Sequence, residues 1–77
     1  MNATRRKQLK QAAELLSQAQ SIIESVRDDE QDAYDNLPEG IQESERGDTM
    51  YENIETLNTM LEDIAGLFDS IDELTEQ

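Results

Sequence analysis

Apolar residues recur three and four positions apart in two stretches of this chain. In the first they are Leu9, Ala12, Leu16, Ala19, Ile23, Val26, then Glu30, Ala33 and Leu37. In the second they are Met50, Ile54, Leu57, Leu61, Ile64, Phe68 and Ile71. This is the a/d spacing of a heptad, sustained over several repeats, and it predicts two amphipathic helices. No stretch alternates apolar and polar residues as a half-buried strand would.

Between the helices lies Asn36-Leu37-Pro38-Glu39-Gly40-Ile41-Gln42-Glu43-Ser44-Glu45-Arg46-Gly47. Pro38 pushes Leu37 out of the helical region, and Gly40 and Gly47 read as breakers. Asn36 is a candidate to close the first helix in the left-handed region. Ser44 or Asp48 is a candidate cap for the second. Leu37 and Ile41 are placed to fold back over the hairpin end. The expected elements are a first helix over about 4–34, a hinge over about 35–47 and a second helix over about 48–75, in one domain spanning 1–77.

Each helix would be about 40–45 Å long at the α-helical rise. Two equal helices joined by a short link favour antiparallel neighbours. Pairing positions whose numbers sum to about 83 or 84 sets Ala33 against Met50, Val26 against Leu57, Ala19 against Ile64 and Ala12 against Ile71. It also sets Ile23 against Leu61 and Leu16 against Phe68. Small alanines of one helix meet large residues of the other, as interdigitated packing requires. The expected fold class is all-α, an antiparallel two-helix hairpin.

The apolar stripe is wider than a two-helix seam. Leu15 and Ile22 flank it on the first helix, and Met60, Leu67 and Leu74 on the second. In heptad terms these are g positions, which a lone hairpin leaves wet. They are the candidate self-association stripe. The expectation is a homo-oligomer, most simply two hairpins dimerising into a four-helix bundle.

Charge adds a second layer. Six Lys and Arg stand against 19 Asp and Glu, a net charge of −13. Residues 1–27 carry +3, residues 28–55 carry −10 and residues 56–77 carry −6. In an antiparallel hairpin Arg5, Arg6, Lys7 and Lys10 lie beside Asp69, Asp72, Glu73 and Glu76, which offsets cations at a helix start and anions at a helix end. The hinge end has no such balance. Asp28, Asp29, Asp32, Asp35, Glu39, Glu43, Glu45, Asp48, Glu52 and Glu55 crowd it. They form a candidate acidic binding face for a basic protein, against the plainer reading of a solubilising surface. Direct nucleic-acid binding is not expected, because such a surface repels phosphate.

The chemistry available is narrow. There is no cysteine and no histidine, so disulfides, the commonest transition-metal ligand and the usual neutral-pH general base are missing. Asp28-Asp29-Glu30-Gln31-Asp32 lacks the glycine and alternate spacing of a calcium loop. Glu52-x-x-Glu55 and Asp69-x-x-Asp72 resemble the paired acidic motifs of all-α nucleotide pyrophosphohydrolases. In the heptad, however, Glu52 falls at f and Glu55 at b, on the outer face. The two pairs are some 25 Å apart by the helical rise. No enzyme, metal or cofactor is expected. Glu30, the one charge in the first stripe, reads as an exposed position near the bundle end or as a register device with Arg27 one turn back. Tyr34 and Tyr51, both at e, are expected to pack on each other or to anchor a partner. Met50 and Met60 read as core filling.

No apolar run reaches membrane-spanning length, and the basic cluster near the start is not followed by the apolar segment of a signal peptide. A cytoplasmic location is the expectation. The stretch over residues 29–48, DEQDAYDNLPEGIQESERGD, resembles a hinge of small acidic helical proteins of bacteria and phages with a DNLPEGIQESERG-like core. The resemblance implies a bacterial or phage setting and no mechanism. Two functions follow as expectations. One is a non-enzymatic, self-associating protein–protein interaction module. The alternative is a DNA mimic that inhibits a basic nucleic-acid-binding protein, conceived as carboxylates along a rod matching the phosphate field of a duplex.

Overall fold

The computed structural model describes all 77 residues as an extended rod, 58 × 15 × 13 Å. Helix α1 runs over Ala3–Asp35, the single turn α2 over Glu39–Gln42, and α3 over Glu45–Thr75. The two long helices pack side by side, and no strand is present.

Helix α1 begins one residue earlier than its apolar pattern suggests. Asn2 adopts extended backbone, and its side-chain oxygen accepts the Arg5 amide at 2.9 Å. Such a cap contributes about 1 kcal/mol. At the other end Asn36 does close the helix, but not in the left-handed region. Its φ is −88° and no residue of the chain has positive φ. Instead the Asn36 side-chain amide donates to the Asp32 carbonyl at 2.8 Å, and the Leu37 N–H donates to the Tyr34 carbonyl at 3.1 Å. The orphan carbonyls are satisfied without a left-handed residue.

Pro38, at φ −57° and ψ 145°, turns the chain into α2. Gln42 Nε2 then donates to the Tyr34 carbonyl at 3.0 Å, tying the single turn back to the end of α1. Ser44 stands at the cap position of α3, as the sequence suggests, but its hydroxyl donates to the Ile41 carbonyl and serves the preceding turn. Leu37 is half-buried at this end, while Ile41 is largely exposed. The hinge is shorter than expected, and Arg46 and Gly47 lie within α3. Gly47 is no breaker. It is buried, and a β-carbon there would collide with the Gln42 backbone. A glycine is what permits α2 to lie this close across the first turn of α3.

The α3 seam is as the pattern predicts. Met50, Leu57, Leu61, Phe68 and Ile71 are half-buried, while Ile54 and Ile64 are buried. On α1 the expected seam holds from Leu9 through Ala12, Leu16 and Ala19 to Ile23. Beyond Ile23 it slips by one position. Val26 and Ala33 are exposed, so neither fills the layer against Leu57 or Met50 that the simple register assigns it. Arg27, Glu30, Gln31 and Tyr34 face inward in their place. A straight helix has 3.6 residues per turn, so a 3.5-residue stripe drifts by about 20° per heptad. From Leu9 to Tyr34 that drift amounts to most of one position.

The register itself is close to expectation. Position numbers sum to 83 for Arg6 with Gln77 and Glu30 with Asn53, and to 85 for Arg27 with Asn58 and Tyr34 with Tyr51. Asn53 Nδ2 donates to Glu30 Oε2 at 3.0 Å, and Arg27 Nη1 donates to Asn58 Oδ1 at 3.3 Å. Arg27 does not pair with Glu30. Tyr34 and Tyr51 pack with ring centroids 6.3 Å apart, tilted by 55°.

The glycines give opposed expectations. Gly66 lies mid-helix with nothing within 4 Å of a would-be β-carbon. Gly66→Ala should stabilise by about 0.5–1 kcal/mol and raise the melting temperature by several degrees. Gly47→Ala should destabilise by about 1–3 kcal/mol through backbone collision. Thermal melts at one protein concentration check both.

Candidate interaction surface

A two-helix seam divides the rod into two sides. In an antiparallel pair the g rows of both helices flank one side and the e rows the other. The e side carries Ala13, Gln20, Arg27 and Tyr34 from α1 and Tyr51, Asn58, Ala65 and Asp72 from α3. Its central members are already engaged across the seam by the Arg27–Asn58 hydrogen bond and the tyrosine pair.

The g side is different. Leu15 is 61% exposed and Ile22 66% exposed, and Met60, Leu67 and Leu74 are exposed beside them. All five residues of the expected stripe therefore lie open on the rod. The slip of the seam adds Val26, since turning α1 inward at Arg27 swings Val26 outward next to Ile22. Sequence spacing alone assigned Val26 to the core. The signal that would have placed it is the drift between 3.5 and 3.6 residues per turn. At the far end of the same side Met1, Arg5, Gln8, Leu9 and Leu74 line an open cleft of about 330 Å³.

The rim of this side is as informative as the stripe. The c row neighbours the g row on each helix, at 100° per residue. Over residues 8–25 and 56–77 the two rows hold Gln8, Gln11, Leu15, Gln18, Ile22, Ser25, Thr56, Met60, Asp63, Leu67, Ser70, Leu74 and Gln77, with one charge among the thirteen. The outer b and f rows over residues 7–28 and 55–76 carry ten charges in fourteen positions. Over these residues charge is sparse on one side of a chain that is rich in it, while nearer the hinge the same rows carry Asp29, Asp32 and Arg46. Depletion of charge around an apolar centre is the compositional mark of an interface core.

At the hinge end the ten carboxylates are all exposed. The single ion pair of the molecule is Arg27 with Asp28, at 3.1 Å. The expected pairing at the opposite end is not formed. Arg5, Arg6, Lys7 and Lys10 make no ion pair with Asp69, Asp72, Glu73 or Glu76. Arg6 turns instead to main-chain carbonyls, donating to Met1 at 2.6 Å and to Gln77 at 3.0 Å. Long exposed side chains gain little from pairing in water, and balance of charge along the rod does not require contact.

Glu52, Glu55 and Asp69 are exposed on the outer rows, and Asp72 is exposed on the e side. No group of three or more acidic side chains is arranged to hold a metal ion. No helix is long and apolar enough to cross a membrane. Comparison with protein-family models finds no match, and comparison with curated proteins and with solved structures finds none either.

Proposed function

We propose that this hairpin is a non-enzymatic protein–protein interaction module that self-associates through its g side, most simply as a dimer forming a four-helix bundle. One observation carries the reading: six large apolar side chains stand exposed in a charge-poor rim, while the seam buries only Ile54 and Ile64. Burial of two apolar residues is a slender core for 77 residues. Covering the g side would supply what the seam lacks, since each Leu or Ile removed from water contributes about 1.5–3 kcal/mol.

Sedimentation equilibrium tests this. The chain should assemble at micromolar concentration and stay assembled at 1 M salt, because apolar burial is not screened. Ile22→Glu together with Leu67→Glu should weaken assembly by about 1,000-fold or more. A wild-type chain that sediments as a monomer at all concentrations would sink the self-association reading.

A second reading rests on a different observation, the ten exposed carboxylates at the hinge end with a single ion pair among them. There the chain is a DNA mimic that occupies a basic nucleic-acid-binding protein. Binding of that kind is salt-sensitive and competed by duplex DNA. Changing Asp28, Asp29, Asp32 and Asp35 to Asn should weaken capture of such a protein at least tenfold without altering assembly. Undiminished capture by this variant would leave the acidic end as a solubilising surface.

A further inference from the structure

We propose that the occupant of the g side is a second copy of this chain, related by a twofold axis perpendicular to the rod and passing beside Leu67, so that the two hinge ends point in opposite directions. The inference rests on the interaction-module reading and specifies its geometry.

The stripe is self-complementary about that axis. Met60, Leu67 and Leu74 follow at equal steps of seven along α3. A twofold at Leu67 sets Leu67 against Leu67 of the partner subunit and Met60 against Leu74 of the partner subunit. The observed hairpin register, with sums of 83 to 85, puts Leu67 level with α1 positions 16 to 18. Leu15 and Ile22 lie on either side of that level, their midpoint a residue or two toward the hinge, so the same axis brings Leu15 and Ile22 of the partner subunit into one apolar patch. One operation thus closes both rows of the stripe, which an isologous interface requires.

The size also fits. One side of a rod 58 Å long and 15 Å wide presents about 870 Å² in projection, close to the roughly 800 Å² that each partner contributes to a stable interface of ordinary size.

Charge selects the orientation. A twofold along the rod would also cover the stripe, setting α1 against α3 of the partner subunit, but it would bring the two hinge ends together. Residues 28–55 carry −10, so that arrangement packs −10 beside −10. The perpendicular axis instead sets each hinge end beside a chain-terminal end, where Arg5, Arg6, Lys7 and Lys10 balance Asp69, Asp72, Glu73 and Glu76. In the register that joins Leu15 to Ile22, Arg5 falls level with Asp32 of the partner subunit and Gln8 level with Asp29 of the partner subunit. Arg5 makes no ion pair within its own chain and lines the open cleft on the g side. Opposite charges across an interface fix register and suppress the wrong arrangement.

The chain has no cysteine, so single-cysteine variants are direct probes. Gly40→Cys places a label at the hinge tip, where a β-carbon meets nothing within 4 Å. Spin labels there should lie about 60 Å or more apart in the dimer, given the rise of the helix. Leu67→Cys should form an intersubunit disulfide under mild oxidation, with helical circular dichroism retained, because only the perpendicular axis brings that residue against itself within disulfide reach. Hinge labels within about 25 Å in a species of dimer mass, with no Leu67→Cys cross-link, would overturn the orientation and leave the interaction module standing. A monomer at 100 times the expected working concentration would overturn both.

Discussion

Everything in this molecule depends on one seam. Two helices laid side by side can bury one stripe each, and nothing else in the chain packs more than a single turn. With no cysteine to form a disulfide, contact between α1 and α3 is the main source of apolar burial. That contact is thin: Ile54 and Ile64 are the apolar side chains it buries. The shape of the rod, the position of the hinge and the partition of its surface into unlike sides all follow from where the seam runs.

The seam on α3 was legible residue by residue. All seven members of its stripe face inward, because large apolar residues stand at every a and d from Met50 to Ile71 and leave no competing choice. On α1 the sequence was legible as far as Ile23. Past that point the drift of a straight helix against a seven-residue repeat outran the pattern, and Arg27 and Tyr34 displaced Val26 and Ala33. Tyr34 and Tyr51 were expected to meet, and they do. Local rules did less well in the hinge. Asn36 and Gly47 both have the identities of terminators, yet one closes its helix in right-handed geometry and the other lies inside a helix. Gly47 answers to a tertiary constraint, the close crossing of α2, which no spacing along the chain displays. The ion pairs expected at the chain-terminal end failed for a related reason: proximity of opposite charges on a solvated surface sets a field, not a contact.

The candidate surface was legible in its residues and not in its context. Leu15, Ile22, Met60, Leu67 and Leu74 follow from stripe width alone. That charge is withheld from the neighbouring c rows becomes visible only once the two helices are laid antiparallel and their g rows fall on one side. The acidic residues, read first as a block near the hinge, then sort into two populations. Those of the outer rows cover the surface away from the seam, and those near the hinge make one end of the rod strongly negative.

The slipped seam has a mechanical consequence. At the hinge the two helices are joined by the chain itself, and there the α1 side of the seam is polar and aromatic, with Arg27, Glu30 and Tyr34 held by side-chain hydrogen bonds and ring packing. At the far end no covalent link exists, and there the seam is made of Leu9, Leu16, Phe68 and Ile71. The polar contacts of α1 lie where a tether already limits separation, and apolar side chains of both helices meet where the fork would otherwise splay. Opening from the far end must therefore begin by wetting apolar surface.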